Sequence, residues 1–255
     1  MSTTKITTRV ITTPGTGSSR TRWAAGAGIV GPLLFTAGFL AQQAYRGDDF
    51  DPIALPVSAL EAGTYGWVQQ ANFVVFGALL LVFTVGLHRG LDRTRYGLVG
   101  PALLAWAATG LFLAAAIPLR ADAAGQIYDP GGHFIAGVTF FLGTALAQLV
   151  LSRRLAKDPH FRSLAAYAAI CGALALVGFV MMARFAMPDD APLHDVAGLI
   201  QRVVIMVVTF PSLIAVALRL RSKPATHSGS SSIQVRTPSA VSTAAVVDAP
   251  SETAT

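Results

Sequence analysis

Charge is scarce in this chain. Asp, Glu, Lys and Arg make up only 13% of its 255 residues, against about 25% in soluble domains. Hydrophobic residues reach 53% and the mean hydropathy is +0.57, which excludes an ordinary soluble domain. Cysteine is nearly missing: Cys171 is alone, so no intramolecular disulfide can form and cysteine usage says nothing of redox compartment. It lies mid-run and reads as a small buried thiol. A cleavable leader is not in evidence either. The first apolar run lies behind 22 polar residues and is itself about 22 long, where a signal-peptide core has about 7–15; it reads as a retained anchor. Finally, no carboxylate occupies the middle of an apolar run, where only weakly polar residues such as Thr36, Thr84, Thr109, Gln148 and Thr209 occur. Ion-coupled transport needs ionisable groups at that depth, so a proton- or sodium-driven transporter is disfavoured.

What the chain has in quantity is long apolar runs. Six are present, at about 24–45, 66–88, 97–118, 132–152, 163–184 and 196–219. Each approaches the about 20 residues that cross a hydrocarbon core of about 30 Å, and in lipid only helices or closed barrels satisfy every backbone group. The expected fold is all-α, a polytopic bundle of six transmembrane helices over residues 23–221. Residues 1–22 and 222–255 are Ser/Thr/Ala-rich with almost no aromatics and read as disordered tails.

The net charge of +6 raises the question of nucleic acid, and the distribution of the charge answers it. Fifteen of the nineteen basic residues lie at the ends or in the loops of one side, and nine of the thirteen acids in the loops of the other. The positive-inside rule puts the basic side and both termini in the cytoplasm of a cell membrane, so the charge reads as a topology signal, with membrane lipids rather than nucleic acid as partners. The other four basic residues are Arg46, Arg120, Arg184 and Arg202. The first three end spans one, three and five, each ahead of an acidic loop. Spans one and three also open alike, IVGPLL at Ile29–Leu34 and LVGPAL at Leu98–Leu103. Three related helical hairpins are the expected arrangement.

Polar residues gather on the acidic side. Asp51-Pro52 and Asp129-Pro130 suit the start of a turn or helix, because Asp accepts from free N–H groups and Pro fits a first helical position. In QIYDPGGHF, Gly131 and Gly132 then leave His133 in the opening turn of span four. Arg202 precedes Arg219 by about 25 Å of helix, less than the apolar thickness, so Arg202 and Gln201 are expected slightly immersed, as is Asn72. Such groups face the bundle interior with partners. An immersed network of Asn72, Gln201 and Arg202, with Asp51 nearby and Asp129 and His133 at its mouth, is the expected ligand-binding or structural site.

Catalytic alternatives rest on Ser58, His133 and His194. His133, His194, Asp129 and Asp195 carry ordinary zinc ligands, and a zinc-bound water would supply a hydrolytic nucleophile; no compact motif such as HExxH supports it. Ser58 to Glu61 has the S-x-x-E form of a capping box, which makes Ser58 a helix cap before it is a nucleophile. Haem is disfavoured because His88 and His160 sit in Arg-rich loop segments. No cofactor is expected, with zinc as the alternative.

The stretch FDPIALPVSALEAGTYGWVQQANF (Phe50–Phe73), the GGH before span four and GLIQR (Gly198–Arg202) together resemble the bacterial six-span membrane family catalogued as domain of unknown function 998. The resemblance covers about 24–220. It implies the topology and a marked outer site at Asp51, Ser58, Asn72, His133, Gln201 and Arg202, and no reaction. A weaker similarity is to Ser/Asp/His membrane hydrolases of lipid amides, whose HxxxH helix motif this chain lacks. The function expected from these readings is binding of a small polar or lipid head group in an outward-facing pocket, with Arg202 suited to an anionic group. A metal-assisted hydrolase acting on a lipid-like substrate is the alternative.

Overall fold

The computed structural model describes residues 19–92 and 94–223; the expected tails lie almost wholly outside them. Six helices are long and apolar enough to cross a membrane. They are α1 (Ser19–Arg46), α2 (Gly66–Gly90), α3 (Val99–Ala116), α4 (His133–Lys157), α5 (Arg162–Met181) and a composite sixth span, His194–Arg221. That span contains α6 (Ala197–Arg202), a π-helical segment (Val203–Thr209) and α7 (Phe210–Arg221). Helix accounts for 77% of the structure.

Three details depart from the expected layout. Residues 19–22, read as tail, form the first turn of α1; the stems of Arg20 and Arg22 can lie along the helix while their heads reach water. The fold is not purely helical, because β1 (Arg120–Ala121) and β2 (Ile127–Tyr128) pair antiparallel just before α4. The Asp122 carboxylate closes their turn by accepting from the N–H groups of Ala124 and Gln126. Pro211, expected to kink span six, instead follows the π-helical segment and sits in the first turn of α7, where its missing N–H costs little.

Consecutive helices pack on one another from α1 to α5, and α7 returns to α1. Small buried residues such as Ala25, Ala107, Ala108, Ala136 and Ala147 let the helices approach closely, the usual solution where lipid removes the hydrophobic drive between helices. The centre is aromatic. Phe35 of α1 lies 5.1 Å from Phe76 of α2, which lies 5.3 Å from Phe210 of α7 and 6.0 Å from Phe140 of α4.

At the end carrying the 91–98 and 158–161 turns, Arg154 is buried. Its guanidinium donates to the carbonyls of His88, Leu91, Asp92 and Gly97 at 2.6–3.3 Å. Not every residue of the basic side is therefore a free surface charge. Lys223 bridges Asp158 at 2.7 Å and Asp92 at 3.0 Å, and it holds the Asp158 carboxyl below its usual range even though burial acts to raise it. His160, expected at the surface, is half-buried with Nε2 2.9 Å from the Arg219 carbonyl oxygen.

Candidate functional site

The segment between α1 and α2 folds back onto the bundle instead of looping into solvent, and its backbone polar groups dictate how it is held. The Asp51 carboxylate accepts from the N–H groups of Ile53 and Ala54 at 2.8 and 3.3 Å, making the expected turn. The carbonyls that then point inward are met from the sixth span. Gly198 and Leu199, whose N–H groups open α6 and have no partner within it, donate to Ala54 and Ile53. Arg202 Nη1 donates to the carbonyls of Pro52, Leu55 and Gly198 at 2.7–3.0 Å, and Nη2 to Gln43 Oε1 at 3.0 Å. Gln201 Oε1 accepts from Val57 N–H at 2.6 Å. From α1, Gln42 Nε2 donates to the carbonyls of Leu60 and Tyr65, and Arg46 to that of Ala62.

Gly198 makes the seam possible, since any Cβ there would meet the carbonyls of Leu55 and Pro52. Overpacking of this kind costs about 1–3 kcal/mol. Gly198→Ala is therefore expected to lower the thermal midpoint in detergent by roughly 2–12 °C, at about 2–4 °C per kcal/mol. A variant as stable as the wild type would mean the seam yields freely.

Within the clamped segment Val57–Glu61 forms a 3-10 turn, and here the capping-box expectation fails. The residue preceding the turn is Pro56, and no side chain caps it; the free Val57 N–H is taken by Gln201, from 144 residues away. Ser58 Oγ has no hydrogen-bond partner among the described residues. Glu61 turns inward and is 4% exposed. Its Oε2 lies 3.3 Å from His133 Nδ1 and accepts from Leu119 N–H at 3.3 Å, while Oε1 is buried without a partner. Burial pushes this carboxyl up to about 8, against the smaller opposing effect of the Leu119 N–H.

His133 arrives at the same point from α4. Gly131 and Gly132 adopt φ of +120° and +121°, open to glycine without strain, and bring the chain round. Asp129 then accepts from the N–H groups of Gly131, His133 and Phe134 at 2.8, 3.1 and 2.9 Å. Burial acts to raise the Asp129 carboxyl, but these three donors hold it below its usual range. His133 Nδ1 is 2.9 Å from the Ile117 carbonyl oxygen. A carbonyl can only accept, so Nδ1 carries the hydrogen and Nε2 of the neutral ring is the free acceptor.

Beside His133 lies a cavity of about 120 Å³. Its walls are apolar, with Phe35, Phe73, Phe140, Phe141, Phe179 and Met182 among them, and the polar side chains lining it are Ser58, His133 and Gln201. Two irregular helical stretches border it. α5 ends in a π-helical turn, Met182–Ala186, and the sixth span is π-helical over Val203–Thr209; wide turns of this kind often mark functional sites. Met182, Ala183 and Ile205 from these two stretches border the space.

One family, described as a protein of unknown function (DUF998), matches residues 29–219. The chain belongs to DUF998. The match runs from α1 to α7, so the clamped segment, the Glu61–His133 pair and the cavity all lie inside the DUF998 region. No curated protein and no solved structure matches the chain.

The residues singled out by sequence thus divide into groups. Ser58, His133 and Gln201 meet at the cavity. Arg202 and Asp51 hold the clamped segment, and Asp129 holds the start of α4. Asn72 stands apart from Arg202, over Gly38, donating to the Phe35 carbonyl and to Gln69; the expected single network is two separate ties. His194 and Asp195 lie in a short 3-10 turn, His194–Val196, and neither lines the cavity. Among the described residues no three His, Cys, Asp or Glu side chains group as metal ligands, and Asp129 is engaged with backbone N–H groups. Glu61 is the residue that sequence reasoning misplaced. A signal for it existed: it is the single charged residue between Asp51 and Arg89, and apart from Glu252 the chain's only glutamate.

Proposed function

We propose that this DUF998 protein binds a lipid-like amphiphile in the cavity between α4, α5 and the sixth span. One observation carries the reading: a space lined mainly by aromatic and aliphatic residues includes just three residues with polar side chains in its lining, Ser58, His133 and Gln201. Apolar pockets with a few convergent polar groups are the usual form of small-molecule sites. The apolar part of the ligand packs against the phenylalanines, and its polar end meets His133 and its neighbours. Arg202, committed to three backbone carbonyls and Gln43, acts as a clamp in this reading and not as an anion receptor, so the polar end is an uncharged acceptor or donor and not a phosphate. The test is photocrosslinking with an uncharged diazirine monoacylglycerol analogue in detergent micelles. Adducts should map to α4 around Phe134 and Gly137, and Gly137→Trp should suppress them. Labelling spread over the lipid-facing surface, unaffected by Gly137→Trp, would reject the cavity as the site.

The proposal extends to orientation. The chain sits in the cell membrane as three helical hairpins, the basic ends and both termini cytoplasmic, and the cavity end faces outward; the charge asymmetry supports this. In a Cys171→Ala background, a cysteine at the exposed Asp190 should react with an impermeant maleimide on intact cells, and one at the exposed Arg95 should not. The opposite pattern would invert the arrangement.

A further inference from the structure

We propose that Ser58, His133, Glu61 and Gln201 form a serine acyl-hydrolase site, so that the amphiphile received by the cavity is a carboxylic ester of an apolar acyl chain. This rests on the amphiphile-binding reading above and assigns it a chemistry.

Four placements carry the inference. Ser58 and Glu61 are three residues apart in a 3-10 turn, where residues i and i+3 eclipse at about 6 Å along the axis; the two side chains therefore leave the turn on the same side. Glu61 takes that side to His133 Nδ1 at 3.3 Å, and Ser58 takes it to the cavity that His133 also lines. The Ile117 carbonyl holds the hydrogen on Nδ1, which leaves Nε2 as the basic atom on the far edge of the ring. Gln201, its Oε1 fixed on the Val57 N–H, lines the same cavity with its Nε2 hydrogens free of any partner among the described residues. A nucleophile without a partner, a base of defined tautomer, a carboxyl orienting that base and an amide donor thus share one apolar space. These are the groups acyl transfer requires.

The chemistry balances without a metal or redox partner. Ser58 Oγ attacks the ester carbonyl carbon, its proton passes to His133 Nε2, and the Gln201 amide donates to the oxyanion. The imidazolium so formed keeps its Nδ1 hydrogen on the Ile117 carbonyl, with Oε2 of the neutral Glu61 carboxyl 3.3 Å away as a second acceptor that orients the ring. Collapse breaks the carbon–oxygen bond to the alcohol, which leaves with the proton from Nε2. Water, deprotonated by His133 Nε2, then attacks the acyl carbon; the bond to Ser58 Oγ breaks, Oγ takes the proton back from Nε2, and the fatty acid is released. Hydrogen bonds between nucleophile and base commonly tighten only with substrate in place.

The experiment is labelling of the detergent-purified full chain with a long-alkyl fluorophosphonate, read by intact mass and peptide mapping, beside the diazirine crosslink. One adduct per chain at Ser58 is expected, absent in Ser58→Ala, at least about 100-fold slower in His133→Gln, and slower in Glu61→Ala, which removes the acceptor that orients the ring, than in Glu61→Gln, which keeps it. Ser58→Ala removes no hydrogen bond and should melt with the wild type, so loss of its label is not loss of fold. A cavity crosslink without any Ser58 adduct would overturn the hydrolase and leave the binding reading standing. Neither crosslink nor adduct would overturn both. An adduct at Ser58 whose rate is indifferent to His133→Gln would also overturn the proposed base.

Discussion

Arg202→Ala is expected to lower the melting temperature of the detergent-solubilised protein by on the order of 10 °C. Arg202 is only 9% exposed and holds the carbonyls of Pro52, Leu55 and Gly198 together with Gln43. Its guanidinium also lies 5.8 Å from the Phe50 ring and 6.0 Å from that of Phe39. Truncation leaves several buried acceptors without a donor, each costing about 1–3 kcal/mol where nothing replaces it. A total of about 3–5 kcal/mol corresponds to that shift at about 2–4 °C per kcal/mol. Arg202→Lys should recover only part of it, because an ammonium lacks the planar fork that reaches separated acceptors. The loss extends to the cavity, since Ser58 and Glu61 lie in the segment Arg202 holds down. Thermal melts of wild type, Arg202→Ala and Arg202→Lys at one pH decide the matter; an alanine variant within about 2 °C of wild type would show the clamp to be dispensable.

Glu61→Gln is expected to remove most of a pH dependence that the wild type shows between neutral and alkaline pH. The Glu61 carboxyl, ordinarily at 4.5, is pushed up to about 8 in the fold. The folded chain therefore holds a proton that the unfolded chain has released throughout the window from about 4.5 to about 8. Stability falls with pH wherever the folded state binds more protons. The contribution is present at the lower end of the window and is lost as pH rises through about 8. From pH 6 to pH 9 the expected decline is about 2–3 kcal/mol, or on the order of 5–10 °C in melting temperature. The groups facing Glu61 are the His133 ring and the Leu119 N–H. The unpartnered Oε1 suits a neutral carboxyl, because a buried charge without partners is far costlier than a buried acid. A glutamine keeps the shape and an acceptor oxygen but cannot titrate, so its melting temperature should be nearly flat across the same range. Parallel slopes for the two proteins would place the titrating group elsewhere.

Both expectations concern residues that the sequence displays unequally. Arg202 stands out in sequence because its distance from Arg219 puts it below the apolar boundary, and charge at such depth needs partners. That reasoning reached the right residue and misjudged its partner: the acceptors are backbone carbonyls 147 and 150 residues away, which no local pattern encodes. Glu61 was hidden by a local pattern that does exist. The S-x-x-E spacing is a sound capping signal only when an α-helix follows, and here a 3-10 turn follows instead. Asp51 and Asp129, by contrast, do what their Asp-Pro settings suggest, because an Asx turn and a helix start are decided within five residues.

The division follows the range of the forces. The sequence by itself determined the six apolar helices and their approximate positions, since lipid solvation and turn chemistry act on residues close along the chain; the first turn of α1, from Ser19, was not legible in it. It also marked most of the polar residues that matter. Only the tertiary structure decided which of them meet. It folded the 50–65 segment back under Arg202, Gln201 and Gln42, turned Glu61 onto His133, separated Asn72 from Arg202, and left His194 off the cavity. Those outcomes depend on long-range satisfaction of backbone N–H and carbonyl groups that cannot reach water, and that condition is met only once the helices have packed.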